Sequence, residues 1–545
     1  MKNTYWARAP LPREQAVLFQ TYLDEVISAD HPARVFAEIL EGYDWTPWEQ
    51  TYHGWRGQPP IHPSVLAGLW LYGIRRGVRS TRKMEYFTTH NVDFMWLAEG
   101  HRPDHTTFSN FRTKFKEPLK DLYQHVVKVA LAAGMARLAG VASDGTHIQA
   151  CANRSETWTQ KKIDAVLEQL ETEFATRLDA IRTDDADGRD AADDTLPEPG
   201  QGELFEELGG GSEPALPEEL AEKQARIEKL RGIQERLQAA DAARAKAGKD
   251  PEKNPAQIPV HDDESRIMPN KDGGYAPNYT PIATTESYGG FIVDTDVVND
   301  ISDADTLLPS MDRIKADYGE SPEQALADGA YASGSNIHGM ESRKIEFLSN
   351  VPPAVSDNHP VQRDDPTQPV PERVWIELPL APQTKRLDRS CFIYRESEDC
   401  YYCPMGNRLS YTQTKRDTRR GKRRERRVYR CDLCTACEHR GQCVSERNRS
   451  GRTVTRDVHT PERERLAATM ADPAKKKAYD QRMCIAETPF GLLKDVVGLR
   501  QFLLRGLEQV QTEWRWACLS LNLDKLVRGI SRLRSLLREE LEIPA

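Results

Sequence analysis

Apolar residues recur at helical spacing early in the chain. Val65, Leu66, Leu69, Trp70, Leu71 and Ile74 form one stripe, and residues 1 to about 135 read as a succession of helices. Ser80 or Thr81 is placed to cap a helix running to about His90. Asp104 or Thr106, just after Pro103, is placed to cap another whose Phe108, Phe111 and Phe115 face one way. The pair reads as a helix-turn-helix, with Arg112, Lys114 and Lys116 off the aromatic stripe, facing either phosphates or plain solvent. At Gly140 the pattern changes to a short apolar run ending in Asp144, which predicts a buried strand. Glu-, Lys-, Leu- and Ala-rich helical patterns over 158–182 and 217–247 predict an antiparallel helical hairpin. Strands are predicted over 279–286 and 291–298, joined by 287–290. A helix over 303–318 follows, with Leu307, Leu308, Met311 and Ile314 inward, then a strand over 324–327 ending at Asp328. The Pro-rich stretch to Pro382 reads as loop, and helices resume near Pro461. The whole is a mixed α/β chain, a mixed sheet flanked by helices.

Length and composition narrow the class. A chain of 545 residues with 38% hydrophobic and 29% charged residues is neither collagen-like, nor disulfide-stapled, nor wholly disordered. No run of eighteen apolar residues occurs, Lys128 and Arg137 breaking the best candidate, and residues 1–10 lack the apolar segment of a secretion signal. The net charge of −9 argues against a polyanionic partner only until it is located. Residues 184–222 hold fourteen Asp or Glu against Arg189 alone, a local charge of −13, so the other 506 residues net +4. A mildly basic body with an acidic, disordered hairpin tip is compatible with local binding of nucleic acid, because the local potential decides.

Two acids share one context, each just after a short apolar strand and just before a glycine: Asp144 in Ser-Asp-Gly-Thr and Asp328 in Ala-Asp-Gly-Ala-Tyr. Asp-Gly by itself also makes a turn. Strand-end carboxylates converging on one sheet edge with a third acid would hold hard divalent cations, which take oxygen ligands.

Seven of the ten cysteines fall between Cys391 and Cys443. Cys400-x-x-Cys403 is followed after twenty-seven residues by Cys431-x-x-Cys434, with Cys437, Cys443 and His439 as possible substitutes. Paired knuckles of this kind give four thiolates for a tetrahedral, structural Zn²⁺ on a ribbon; the alternative is a set of buried free thiols. Cys151, Cys484 and Cys518 read as core residues. Between the knuckles, residues 415–430 carry ten Lys or Arg in sixteen positions, including Arg423, Arg424, Arg426 and Arg427. On a metal-fixed base such a run is a phosphate-binding arm; detached from one it is a solvated charge run.

The third acid is sought in Tyr479-Asp-Gln-Arg482-Met-Cys-Ile-Ala-Glu487-Thr-Pro-Phe-Gly-Leu-Leu-Lys494. This segment resembles the Tyr, Arg, Glu, Lys signature of insertion-sequence transposases with a DDE triad. His62-Pro63-Ser64, Pro103-Asp104-His105-Thr106-Thr107-Phe108, Gly329-Ala330-Tyr331 and Arg505-Gly506-Leu507 extend the likeness over almost the whole chain. The resemblance implies an RNase H-like catalytic core with the triad on Asp144, Asp328 and Glu487, ligands of Mg²⁺ or Mn²⁺. It puts Arg482 and Lys494 near DNA, where the bland alternative is an exposed helical charge. It implies binding of terminal inverted repeats, cleavage at the ends and joining of 3′-ends to target DNA by two-metal phosphoryl transfer. It also implies a bacterial, cytoplasmic protein, nucleoid-associated when active, without a membrane partner and at least dimeric on DNA. A metal-dependent nuclease without strand transfer, or a domesticated non-catalytic DNA-binding regulator, are the competing readings. The expected organisation is an N-terminal helix-turn-helix-like domain (1–135), core (136–156), helical-hairpin insertion (157–250), core (251–385), zinc-ribbon-like insertion with basic arm (386–455) and the helical end of the core (456–545).

Overall fold

A computed structural model describes residues 23–52, 60–190, 218–246, 250–270, 273–351, 359–419 and 422–541, with backbone alone at 23, 181–190, 218, 417–419, 422–424 and 536–541. Most of the acidic hairpin tip and the first ten residues therefore lie outside the described residues.

The centre is a mixed sheet of β1 (Gly140–Gly145), β2 (Tyr275–Glu286), β3 (Ile292–Val298), β4 (Gln324–Ala327) and β5 (Glu346–Ser349). Its order is β3-β2-β1-β4-β5. The β3/β2 and β2/β1 pairs are antiparallel, the β1/β4 and β4/β5 pairs parallel. Two short strands, Ile148–Gln149 and Arg266–Pro269, pair with the start of β2. Strand alternation divides the sheet's two faces. Val141, Ala325 and Phe347 enter the main core, while Ala142, Leu326 and Leu348 turn to a second, small cluster with Ala486.

The helices are α1 (Pro32–Glu41), α2 (Pro63–Arg75), α3 (Thr81–His90), α4 (His105–Lys114), α5 (Lys116–Ala132), α6 (Gln160–Asp190), α7 (Glu218–Lys246), α8 (Leu307–Tyr318), α9 (Gly334–Ser342), α10 (Thr460–Met470), α11 (Arg482–Asp495) and α12 (Leu507–Leu541), with shorter ones between. Asp104 caps α4, its carboxylate accepting the Thr107 N–H at 2.7 Å, whereas Ser80 precedes α3 without a side-chain cap bond. The N-terminal helices share one core with the sheet, and α12 joins them. Trp516 on α12 meets Trp48 and Phe111 with ring centroids 6.1 and 5.9 Å apart. Arg79 pairs with Glu513 at 2.7 Å, and Arg75 with Asp524. Burial of these aromatic faces is the main adhesive between the first and last parts of the chain.

The helical hairpin α6/α7 has its own small core of Ile163, Leu167, Ile227, Leu230, Ile233 and Leu237. Arg231 to Glu171 (2.8 Å) and Lys223 to Glu173 (3.4 Å) cross its antiparallel seam. Between β5 and α10 lies an antiparallel sheet of β6 (Ile393–Arg395), β7 (Cys400–Tyr402), β8 (Arg408–Arg419), β9 (Lys422–Arg430) and β10 (Thr453–Asp457), in that order. It too has a separate core, in which five cysteines sit among Val361, Val370, Leu387, Leu409 and Tyr429. No described helix is long and apolar enough to cross a membrane.

Candidate active site

Register brings the first two acids together. Ala142 on β1 is paired in parallel with Leu326 on β4, and Asp144 and Asp328 each follow two residues later. They therefore leave adjacent strands at the same edge, roughly 4.8 Å apart across the ladder, and on the face that Ala142 and Leu326 share with Ala486. That face is covered by α11, which runs unbroken through Pro489 and carries Glu487 one residue after Ala486. A cleft of about 600 Å³ opens there, lined by Asp144, Thr146, His147, Asp303, Glu487 and Lys494.

The electrostatics are those of crowded, poorly compensated carboxylates. Burial pushes the Asp144 carboxyl up to about 6, with Asp328 and Asp303 adding to the rise and the Gly145 N–H and Arg482 opposing it. Arg482 Nη1 stands 3.5 Å from Asp144 Oδ2, with both side chains largely buried. Asp328 accepts the Ala330 N–H at 2.8 Å and lies close enough for its charge to disfavour ionisation of both Asp144 and Asp303. Lys494, two turns along α11 from Glu487, donates to Thr146 Oγ1 at 2.6 Å. The two ends of α11 thus reach Asp144 and Thr146.

Asp303 is a site residue that sequence reasoning passes over. Burial raises its carboxyl, partly offset by the Tyr331 hydroxyl, and Asp328 raises it further. Gly145 makes its approach possible: a Cβ there would lie 2.3 Å from Asp303 Oδ2. The glycine after Asp144 is thus a close-approach residue, not a turn residue with positive φ. The only sequence signal is an acid-rich segment after β3, where Asp300, Asp303 and Asp305 look alike. The donor types, carboxylate oxygens with Arg482 paired to Asp144, suit a hard divalent cation, and among the described residues no three of these acids have ligand atoms within 4.8 Å of one another.

The cysteine cluster differs in one member from the expected set. Cys403, Cys431, Cys434, Cys437 and Cys443 lie within electrostatic reach of one another. Burial, then Cys403 and its neighbours, push the Cys443 thiol up to about 12. The Cys431 thiol donates to Cys434, which lowers Cys434 and raises Cys431, and the Arg452 N–H reaches Cys434 Sγ at 3.4 Å. Cys400 is not in this group. Strand alternation turns it to the other face of β7, where its Sγ is 3.8 Å from Glu398 Oε2. Cys443 or Cys437 therefore stands where Cys400 was expected. His439 stacks on Trp375 with ring centroids 3.8 Å apart. Of the three cysteines read as core, Cys518 is buried, Cys151 half-buried and Cys484 exposed.

The expected DNA-contacting residues fall in two classes. Arg112 is turned inward: its guanidinium lies 5.8 Å from the Trp70 ring in a small cavity shared with Arg79, Glu513 and Trp516, and burial lowers its pKa. The reason is that α4 is covered by α12, so the flank expected to meet phosphate meets protein. Arg426 and Arg427 lie on the long β8/β9 hairpin. Arg427 is anchored at its root, paired with Asp399 and 4.7 Å from the Tyr411 ring centroid. Arg423 and Arg424 are on β9 near its start, with backbone alone described.

Comparison with protein families gives two matches. A transposase DDE domain model matches residues 402–527, a span that contains Arg482, Glu487 and Lys494, and a transposase domain model (DUF772) matches residues 21–114. No curated protein and no solved structure matches the chain significantly.

Proposed function

We propose, from the premise that the two domain matches support a DDE-type insertion-sequence transposase, that this chain binds the terminal inverted repeats of its element, cleaves at their ends and joins the 3′-ends to target DNA. The observation that carries the reading is that Asp144 and Asp328 leave adjacent strands at one sheet edge under α11, whose Glu487 lines the same cleft as Asp144. The order β3-β2-β1-β4-β5, three antiparallel strands followed by two parallel ones, supports an RNase H-like core.

Asp144, Asp328 and Glu487 would hold Mg²⁺ or Mn²⁺, with Asp303 as a fourth carboxylate at the same edge. A pair of such cations activates a water or 3′-hydroxyl and stabilises the leaving oxygen, so no protein nucleophile is required. Arg482 favours the charged, metal-binding form of Asp144 against the burial that opposes it. Lys494, at the cleft wall beside Thr146, offers a point charge to a flanking phosphate. Cys403, Cys431 and Cys434, completed by Cys443 or Cys437, would hold a structural Zn²⁺, and the hairpin carrying Arg423, Arg424, Arg426 and Arg427 would bind the DNA backbone. Because two ends must be joined, the active form would contain at least two copies.

Incubation of the purified chain with end-containing DNA and Mg²⁺ tests this. Strand-transfer products are expected; cleavage without joining would make the protein a nuclease, and binding without cleavage a regulator.

A further inference from the structure

We propose that His338, His459 and Glu462 form a binding site for a divalent transition-metal ion of the imidazole-seeking class, such as Zn²⁺, Co²⁺ or Ni²⁺, that staples the cysteine-rich insertion to the central sheet. One ligand-capable atom from each of the three lies within 4.8 Å of the others, and among the described residues no other group of three His, Cys, Asp or Glu meets that condition. The site shares no residue with either set of ligands described above.

The three residues come from two elements that the chain has reason to join. His338 lies on α9, just after the turn that begins at Asp328, and His459 and Glu462 lie at the start of α10, immediately after β10 leaves the insertion. His338 Nδ1 is 3.2 Å and His459 Nδ1 3.7 Å from Glu462 Oε1, and the two rings have centroids 5.5 Å apart. Glu462 is only 9% exposed. Its Oε2 and His459 Nδ1 are buried without a hydrogen-bond partner, an arrangement that a bound cation would resolve. The nearest arginines are engaged elsewhere, Arg463 with Asp457 and Arg465 with Glu341, each at 2.7 Å.

Packing also favours the assembly. Gly334, at the start of α9, leaves room for His459: a Cβ there would fall 2.3 Å from His459 Cβ. His338 is more than half exposed, which gives an ion a way in. Two imidazoles and one carboxylate select borderline metals over Mg²⁺, which prefers oxygen and keeps its water. An ion held there ties the segment that follows Asp328 to the strand hydrogen-bonded to the basic hairpin, so the arm and the acid-lined edge would move as one body.

The test is a cobalt titration of the full-length, chelator-stripped protein in excess Mg²⁺, followed by absorption spectroscopy. The wild type is expected to bind one more Co²⁺ than His338→Ala or His459→Ala, and that extra ion should show d–d bands without a sulfur-to-cobalt charge-transfer band. Both variants should keep the charge-transfer band of the cysteine site. His338→Ala removes an exposed side chain and so guards against loss of folding in the second variant. Equal cobalt stoichiometry in wild type and His338→Ala would overturn the proposal, as would an extra ion whose spectrum carries the sulfur band. As a second reading, in protein whose cysteine site is already filled, further Zn²⁺ should slow amide exchange over 459–463 in the wild type and leave it unchanged in His338→Ala; slowing in both would also overturn it.

Discussion

The acid-lined sheet edge and the cysteine-rich insertion solve the same electrostatic problem from opposite starting points. Each gathers groups whose ionised forms repel one another in partly buried surroundings: Asp144, Asp303 and Asp328 at the edge, Cys403, Cys431, Cys434 and Cys443 in the insertion. At the edge the scaffold is independent of the site. β1 and β4 are held by a core that runs from Phe36 to Trp516, and Arg482 is a paired countercharge of Asp144. In the insertion the site is part of the scaffold, since these four cysteines belong, with Cys391, to its small hydrophobic core. Carboxylates suit an ion that comes and goes with substrate, whereas thiolates suit one that stays. The lesson is that the first cluster should be removable without unfolding and the second should not.

The largest expected effect breaks this contrast most sharply. Under the proposed zinc ligation, chelation of the ion, or Cys431→Ser with Cys434→Ser, should unfold the insertion, because metal ligation in such small cores is worth about 10 kcal/mol. Amide exchange at Tyr401, Val428 and Tyr429 should then approach unfolded rates while Val141 and Ala325 stay protected. Equal protection in both regions would erase the distinction.

Asp144→Asn should act in the opposite direction at the edge. A carboxyl raised from 3.8 to about 6 is more easily protonated folded than unfolded, so it costs the metal-free protein stability as pH rises through that window. The cost is complete above about pH 6 and amounts to roughly 3 kcal/mol at most. In urea at pH 8 without metal, Asp144→Asn should therefore be more stable than the wild type, and the gain should vanish near pH 4. Added Mg²⁺ should stabilise the wild type and leave the variant unmoved. A less stable variant at pH 8 would show that Asp144 is held by favourable contacts.

The smallest effect concerns the arm. Alanine at Arg423, Arg424, Arg426 and Arg427 should flatten the dependence of log affinity on log salt by up to about 0.9 for each phosphate no longer neutralised. Within that set Arg427→Ala should contribute least, since it is already committed to Asp399. An unchanged slope in a nitrocellulose or anisotropy titration would remove the arm from the DNA interface.

Much of the sheet was legible because its strands are short apolar runs punctuated by acids and glycines. The strand ending at Asp328 matches its expected limits, and the two before it shift only at their starts, at Tyr275 and Ile292. Pairing of Asp144 with Asp328 was legible as a shared context, and their adjacency follows from parallel register. What local pattern does not carry is packing between distant segments. Arg112 reads as a free charge on its own helix, and only the arrival of α12 from the other end of the chain buries it. Cys400 reads as half of a knuckle, but strand alternation within β7 points it away. Asp303 and the pair His338 and His459 are set by tertiary approach at glycines, Gly145 and Gly334, whose role appears only once the neighbour is in place.

The central claim is that three acids from three elements act together on DNA. Its most direct measurement is the Mg²⁺-dependent cleavage rate on end-containing DNA for wild type, Asp328→Asn and Glu487→Gln, with DNA affinity measured in parallel. Each substitution should lower the rate by roughly 10³-fold or more and leave affinity within a few-fold of wild type. Cleavage at near wild-type rate by Asp328→Asn would contradict the account.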